Sequence, residues 1–93
     1  MLEVALIDVT DGSQRAFADA YQQARALIVA TPGCGAVRLT AGVESPTRFV
    51  LLVEWASLAA HEAFRNSERF GQWRALVGPH FAAPPVLEHF RNV

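Results

Sequence analysis

The sequence predicts an α+β fold with one antiparallel sheet and helices packed on one face of it. Runs with the residue content of strands alternate with stretches of helical period, in the order β-α-β-β-α-α-β. The length of 93 residues fits a single domain spanning 1–93. The composition, 52% hydrophobic and 18% charged, supplies more apolar surface than one small core can bury.

The first half of the chain predicts a strand, a helix and a second strand. The first strand covers 2–9 and ends at Asp11-Gly12. Residues 13–31 have helical period, with Asp11 or Ser13 as the cap and Pro32-Gly33 as the stop. A second strand follows at 35–42. The inward stripe of the helix comprises Phe17, Tyr21, Ala24, Leu27, Ile28 and Thr31.

The third strand, Arg48–Trp55, reads "RFVLLVEW" and is apolar on both faces. Its alternate residues from Phe49 to Trp55 line one face, and Val50 and Leu52 line the other. An antiparallel strand in a small protein usually keeps one face in water, so the second apolar face needs a cover. Because the "ESPT" turn lies between them, the second and third strands predict a hairpin.

Two short helices and a last strand complete the prediction. Ser57 caps a helix at Leu58–Arg65, and Ser67 caps another at Glu68–Val77, which stops at Gly78-Pro79. The last strand covers 86–91, "VLEHFR", and is again largely apolar on both faces.

This element order is the ferredoxin-like plan, the split βαβ arrangement. Its sheet carries helices on one face only, which leaves the second face of the third and last strands uncovered. We therefore expect a homodimer, a dimeric α+β barrel, in which two sheets meet through the helix-free face and the last strand. Burial of apolar surface at about 25 cal/mol per Å² favours such a pairing.

Charge and cysteine content exclude several classes of function. The net charge is −1 without a basic stripe, so we expect no nucleic-acid partner. All eight basic residues are Arg, which excludes Schiff-base chemistry on a lysine. Cys34 is single and forms no intrachain disulfide. No apolar run has membrane-spanning length and the N-terminus does not resemble a signal peptide, so we expect a cytoplasmic protein without a membrane partner.

Four stretches carry a resemblance to a known family. They are "TPGC" at 31–34, "GVESPTRFVLLVEWASLAAHEAF" at 42–64, "SERFGQWR" at 67–74 and "GPHFAAPPVLEHF" at 78–90. Together they resemble the antibiotic biosynthesis monooxygenase (ABM) domain family over nearly the whole chain, most specifically at the join from Trp55 to Ser57. The resemblance implies a dimeric ferredoxin-like α+β barrel.

The resemblance also implies a chemistry. Characterised members include monooxygenases that oxidise phenolic or hydroquinone groups of aromatic polyketides to quinones with O₂, without metal or flavin. An electron-rich phenolate can itself pass an electron to O₂, so the protein needs to bind the ring, favour its anion and exclude water. The resemblance therefore implies no cofactor and a small aromatic molecule as partner, in an apolar pocket.

Haem-degrading relatives form another branch. They use an Asn on the first strand, with a Trp and a proximal His on the later helices. Counted from Trp55 without gaps, this chain has Ala5, Phe64 and Arg74 at those positions, so a haem iron would lack its His ligand. This count argues against haem degradation, although a shifted register would bring His61 or His80 nearer.

The histidines are the candidate acid–base groups. His61 lies at the edge of an inward helical stripe and is either a base for a substrate hydroxyl or a surface residue bonded to the backbone. His89 either faces the cavity, crosses the dimer interface or is a satisfied structural group, and His80 is expected at the surface. Spacings of 19 and 9 residues do not form a metal motif, so no metal site is predicted.

Aromatic side chains are the candidate substrate contacts. Trp55 and Trp73 each carry an indole N–H that needs a partner when buried, which makes them the better candidates for a ring-binding pocket. Phe64 and Tyr21 are expected to join them. Core packing is the alternative for each of these residues.

The arginines offer one candidate for anion stabilisation. Arg38 in the second strand either faces the cavity and stabilises an oxyanion or pairs with Glu54 across the hairpin. Arg65 and Arg74 are expected on a solvated helical face.

Functions from different classes remain open at this point. The first is a cofactor-independent monooxygenase that oxidises a phenolic or hydroquinone substrate with O₂, using His61 as base, Trp55 and Trp73 as ring contacts and Arg38 for the anion. The second is a non-catalytic dimeric barrel that binds a small hydrophobic molecule or serves as an accessory subunit. The third is an isomerase or cyclase reaction in the same cavity.

Overall fold

The computed structural model describes all residues, 1–93, and has the predicted element order. Three elements, β3, α2 and α3, have the predicted ends, and the ends of the others differ by one or two residues. None of the helices has the length and apolar content needed to cross a bilayer. The elements are β1 Leu2–Asp8, α1 Gln14–Val29, β2 Cys34–Ala41, β3 Arg48–Trp55, α2 Leu58–Arg65, α3 Glu68–Val77, a single 3₁₀ turn at Gly78–His80, and β4 Val86–Phe90.

The four strands form one sheet in the order β2-β3-β1-β4. All neighbouring strands run antiparallel, so the predicted ferredoxin-like plan and the hairpin of β2 and β3 are confirmed. At the centre of the sheet, Ala5 on β1 lies between Leu51 on β3 and Leu87 on β4. Paired residues share a face, so this register decides which side chains meet the helices.

The helices cover the sheet face that carries the odd-numbered residues of β1 and β3. Ile7 and Val53 on this face are 2% and 1% exposed, and Phe17 and Val77 from the helices are fully buried against it. Phe17 packs edge-on to Phe49 with ring centroids 4.9 Å apart. A core of this density is what an antiparallel sheet with helices on one face must form to be stable.

The opposite face of the sheet carries no helix. Leu6, Val86 and Phe90 on this face are 39%, 66% and 46% exposed. Leu6 lies between Val50 on β3 and Val86 on β4, and Leu2 lies beside Phe90, so the apolar residues are contiguous. The apolar helix-free face expected from the sequence is therefore present in the protomer.

Ser13, Ser57 and Ser67 stand at the N-cap positions of α1, α2 and α3, and one of these three side chains makes a capping hydrogen bond. The hydroxyl of Ser57 accepts a hydrogen bond from Ala60 N at 3.1 Å, so this predicted cap is confirmed. Ser13 makes no capping bond, and the side chain of Gln14 instead accepts from Gly12 N and donates to Asp11. Ser67 is at the predicted cap position of α3, but its hydroxyl donates to the carbonyl of Phe64 and makes no capping bond.

Candidate functional site

A cavity of about 600 Å³ lies between the helix-covered face of the sheet, α2, α3 and the connector at 82–85. Twelve of its nineteen lining residues are hydrophobic. The polar side chains in its wall belong to Glu3, His61, Arg65 and Arg74. An apolar hollow with a few convergent polar groups is the usual form of a site for a small organic molecule.

Strand register brings three of the polar and aromatic residues together. Glu3 on β1 is opposite His89 on β4 and opposite Val53 on β3, so its side chain faces the helices. Trp55 follows two residues after Val53 and therefore shares that face. Glu3 is 5% exposed and Trp55 is 2% exposed, so a carboxyl group is buried beside an indole.

A chain of short polar contacts links Trp55, Glu3, His61 and His89. Trp55 Nε1 donates to Glu3 Oε1 at 2.9 Å, and His61 Nε2 lies 3.4 Å from the same oxygen. The other ring nitrogen of His61, Nδ1, lies 2.6 Å from His89 Nε2. The rings of Trp55 and His61 are stacked, with centroids 5.2 Å apart and an interplanar angle of 17°. His61 is therefore held on both edges and on one face.

His61 is a neutral imidazole at physiological pH. Burial lowers its pKa from 6.5 to about 4, and the nearby charges of His89 and Arg65 act in the same direction. His61 is 3% exposed, so little water is available to solvate an imidazolium. Its contact with Glu3, at 3.4 Å, therefore joins a neutral ring to a carboxyl group and is not an ion pair.

Glu3 has a raised pKa. Burial is the main cause, and it outweighs the hydrogen bond from Trp55 and the charges of His89 and Arg65, which lower the pKa. A carboxyl group with a raised pKa is a stronger base when ionised and keeps its proton to a higher pH than an ordinary carboxyl group. Such perturbed groups in clefts are typical of functional sites.

The aromatic wall of the cavity contains most of the predicted substrate contacts. Trp55, Phe64 and Trp73 all line it, together with Phe70 and Phe81. The side chain of Trp73 makes no hydrogen bond within the chain, yet no fully enclosed side-chain nitrogen or oxygen lacks a partner. Its indole N–H is therefore accessible, and a ligand in the cavity can accept from it.

Tyr21 and His89 lie one layer away from the cavity wall. Tyr21 packs edge-on to Trp73, with centroids 6.2 Å apart, and lines a second hollow of about 230 Å³ between α1, β2 and β3. His89 reaches the site only through its contact with His61. The expectation that Tyr21 contacts a ligand in the main cavity directly does not agree with this packing.

Arg38 does not face the cavity, which corrects the expectation from sequence. It is opposite Leu52 on the helix-free face and is exposed. The register of β2 against β3 shifts by one residue between Cys34 and Val37, and a one-residue shift turns every later side chain to the other face. The expected pair with Glu54 is also absent, because Glu54 lies 3.9 Å from the N-terminal ammonium of Met1 instead.

Two other arginines supply positive charge to the cavity. Arg65 on α2 and Arg74 on α3 line its wall, and both are also exposed, as predicted for a solvated helical face. Neither forms an ion pair within the chain, whose salt bridges join other groups. Arg65 is close enough to act on the pKa of both Glu3 and His61. These guanidinium groups are available to an anion in the cavity.

Ligation of a metal ion or of haem iron requires His, Cys, Asp or Glu side chains that converge on one point. No group of three or more His, Cys, Asp or Glu side chains has the arrangement needed to hold a metal ion. His61 presents one ring nitrogen to Glu3 and the other to His89, so the three residues do not converge on one point. Ala5, Phe64 and Arg74, the positions counted for haem binding, all line the cavity, and none is a histidine.

Glu3 is the residue that sequence reasoning missed. It lies in "LEVALID", where the residues on both sides of the alternation are apolar, and nothing local indicates which side meets the helices. One signal could have located it, because a charged group among buried strand positions needs a polar partner. Trp55 and His89 are within reach of the Glu3 carboxyl group once the strand order is assumed. Pairing β1 between β3 and β4 would have brought them together.

Comparison with known proteins gives a consistent set of relatives. Residues 1–76 match the family described as antibiotic biosynthesis monooxygenase. The Bacillus subtilis protein YczJ is 34% identical over 92 residues, covering 98% of this chain and 97% of that protein. A crystal structure assigned to the antibiotic biosynthesis monooxygenases, from Bordetella bronchiseptica, is 39% identical with a TM-score of 0.95. The match covers 99% of this chain and 95% of the Bordetella chain.

A more distant structure has the same fold. SnoaB, a cofactor-independent oxygenase from Streptomyces nogalater, is 15% identical with a TM-score of 0.83, covering 99% of this chain and 93% of SnoaB. At this identity the likeness concerns the fold alone.

Proposed function

This chain belongs to the antibiotic biosynthesis monooxygenase family, and on that premise we propose that it is a cofactor-independent monooxygenase for a phenolic or hydroquinone aromatic substrate. The observation that carries the proposal is the aromatic-walled cavity of about 600 Å³ with a buried carboxyl–imidazole pair in its wall. The apolar wall suits a planar ring, and the pair suits removal of a phenolic proton.

The proposed reaction balances with O₂ as the only co-substrate. For a phenol with a free para carbon, the O–H bond and the para C–H bond break and both ring carbons become carbonyl carbons of a quinone. One atom of O₂ enters as the new carbonyl oxygen, and the other leaves as water with the two hydrogens. The ring is oxidised by four electrons and O₂ is reduced by four. A hydroquinone substrate instead loses two electrons and two protons to become its quinone, and O₂ takes up both and leaves as H₂O₂.

Six side chains of the cavity wall have proposed roles in this reaction. Trp55, Phe64 and Trp73 contact the ring, and the accessible N–H of Trp73 donates to one of its oxygens. The Glu3–His61 pair accepts the proton of the phenolic hydroxyl. Arg65, rather than Arg38, stabilises the phenolate, because a cation beside a developing oxyanion in an apolar site lowers its energy.

We also propose that the working unit is a homodimer formed through the helix-free face and β4. The supporting observation is the contiguous apolar surface around Leu6, Val86 and Phe90. Monomeric proteins rarely expose such patches without a partner. The cytoplasmic location stays a prediction from the sequence.

Oxygen consumption with a panel of hydroquinones and anthrones tests the proposed activity. We expect at least one substrate to consume O₂ faster with the protein than without it, with quinone formed in equal amount. The protein should be prepared with a chelator, and Glu62→Gln, an exposed change on α2, serves as the matched control. If no member of the panel is turned over above the uncatalysed rate, the proposed activity is wrong.

A non-catalytic binding function is the second candidate, because both ring nitrogens of His61 are already engaged within the protein. In that case a ligand would bind in the cavity and return chemically unchanged in air. An absorbance change of the ligand that persists under nitrogen would instead indicate an isomerase or cyclase reaction.

A further inference from the structure

We propose that Glu3 is the catalytic base of the cavity, with Oε2 as the atom that takes the proton of the substrate hydroxyl, and that His61 and His89 are positioning residues that hold Oε1. This inference rests on the proposed function for its substrate class. It assigns to Glu3 the role that the sequence predicted for His61.

The contacts of His61 leave it no free acceptor. Nε2 faces Glu3 Oε1 at 3.4 Å and Nδ1 faces His89 Nε2 at 2.6 Å. The side chain is 3% exposed and one face of the ring lies on Trp55. A base must lie within hydrogen-bond reach of the proton that it removes, so His61 would have to break one of these contacts to serve.

Glu3 has the free atom that His61 lacks. Both of its polar contacts, from Trp55 Nε1 and with His61 Nε2, go to Oε1. Oε2 has no partner within the chain, and no fully enclosed side-chain oxygen or nitrogen lacks a partner. Oε2 is therefore accessible, and because Glu3 lines the cavity, the cavity is where a substrate reaches it.

One pattern of protons satisfies every contact while Glu3 is ionised. His89 Nε2–H donates to His61 Nδ1, which selects the tautomer of His61 with its proton on Nε2. The indole N–H of Trp55 donates to Oε1, and the Nε2–H of His61 lies against the same oxygen at an N···O distance of 3.4 Å. The indole bond and the adjacent imidazole orient the carboxylate and leave the second oxygen as the base, as a buried partner orients the imidazole in catalytic triads.

Titratable and charged side chains lie around Glu3 on three sides. His89 faces it from β4, and His61 and Arg65 approach from α2. Arg74 lines the cavity from α3, and Trp55 on β3 brings a donor without charge. Burial raises the pKa of Glu3 despite these partners, which brings the carboxylate closer to the proton affinity of a phenol.

The proposed step moves one proton. The phenolic O–H bond breaks, its electron pair stays on the phenolate oxygen, and a new O–H bond forms on Glu3 Oε2. The site then holds a neutral carboxylic acid beside a phenolate, with the positive charge of Arg65 nearby. Oxidation of the phenolate by O₂ follows as described for the proposed function.

Calorimetry with 2,4-dinitrophenolate under nitrogen tests the step without any oxygen chemistry. This probe binds as an anion, so a base at Oε2 must take up a proton when the phenolate oxygen lies beside it. At neutral pH, in two buffers of different ionisation enthalpy, we expect uptake of about one proton per bound probe in the wild type and none in Glu3→Gln. Glu62→Gln should behave as the wild type.

The outcomes separate this inference from the proposed function. Proton uptake that persists in Glu3→Gln, or no uptake in the wild type, overturns Glu3 as the base even if O₂ consumption is observed. Uptake lost only in Glu3→Gln supports the inference even if no substrate of the oxygen panel is turned over. With a turned-over substrate, Glu3→Gln should lower kcat by about a hundredfold.

Nitrogen-15 NMR tests the positioning roles, and the His61 signals of the unmodified protein give a readout that needs no variant to fold. We expect His61 to be neutral with its proton on Nε2, and His89→Gln to mix its tautomers and lower kcat without changing KM. A proton on Nδ1 of His61 in the wild type would reverse the donor chain, place the proton on Glu3, and overturn the inference.

Discussion

The two faces of the sheet are built from alternate residues of the same strands, yet one face is buried and the other is partly exposed. On β1, Glu3 and Ala5 face the helices and are 5% and 3% exposed. Leu6, one residue further along the strand, faces away from the helices and is 39% exposed. One face thus holds a buried polar chain and a cavity, and the other holds an open apolar surface.

This difference indicates how a chain of 93 residues can carry both the proposed binding site and the proposed dimer surface. A sheet with helices on one side must bury that side within the protomer, where Glu3 obtains its altered pKa. The other side stays available for a second copy of the chain. We expect substitutions on the first face to change chemistry and pH response, and those on the second to change association.

The largest expected effect comes from a charge on the helix-free face. Leu6→Glu would bury an unpaired carboxylate between two sheets, which costs several kcal/mol. We expect the dimer dissociation constant to rise by more than about a hundredfold, measured by sedimentation equilibrium. Val43→Glu, at a position 87% exposed in the β2–β3 connection, is the matched control. A wild type that sediments as a single chain at micromolar concentration would contradict the proposed role of the helix-free face in dimer formation.

The next effect is on stability in acid. His61 has a pKa near 6.5 when unfolded and about 4 when folded, so the folded state binds fewer protons between these values. Stability therefore falls as pH drops below 6.5, by up to about 3 kcal/mol for this group. Glu3 acts oppositely, because its raised pKa contributes stability at low pH that is lost as pH rises.

Urea unfolding at a fixed protein concentration measures this acid response. We expect the free energy of unfolding of His61→Gln to decrease less than that of the wild type between pH 7 and pH 4. His80→Gln, at a partly exposed position outside the cavity, is the control. An equal loss in wild type and His61→Gln would mean that folding does not lower the pKa of His61.

A smaller effect is expected from the indole that holds Glu3. Trp55→Phe removes the donor to Glu3 Oε1 and should cost about 2 kcal/mol of unfolding free energy. It should also raise the pKa of Glu3 further, which moves the acid limb of the pH–rate profile to higher pH. Trp73→Phe, whose N–H has no partner in the chain, should cost less. Equal costs would show that the Trp55–Glu3 bond is unimportant.

The smallest expected effect separates two arginines on opposite faces. Arg65→Gln should weaken binding of dinitrophenolate by about threefold to tenfold, and less at high salt, because an exposed cation is screened. Arg38→Gln should leave this affinity unchanged, since Arg38 lies across the sheet from the cavity. A larger effect at Arg38 would mean that the helix-free face contributes to ligand binding.

Local signals in the sequence were sufficient for most of the fold. The ends of α2 and α3 follow from Ser57 and from Gly78-Pro79, and the ends of β3 follow from a continuous apolar run. The same signals located His61, Trp55, Phe64 and Trp73 on elements that meet at the cavity. These predictions depend on spacing along the chain, which a sequence states directly.

The parts of the site that depend on pairing between strands were not predictable in the same way. Glu3 meets Trp55, 52 positions along the chain, and His89 on the last strand only through the registers of β1 with β3 and β4. Arg38 faces away from the cavity because of a one-residue shift in β2. Without that shift Arg38 would be opposite Leu51, on the cavity side.

The edge strand β4 has a further consequence. Its alternate residues give Val86 and Phe90 to the open apolar surface and His89 to the contact with His61. Only β1 pairs with this five-residue strand, so subunit association would also restrain the histidine pair. Turnover per protomer is then expected to decline on dilution before the chain unfolds, which would make protein concentration itself a control on the rate.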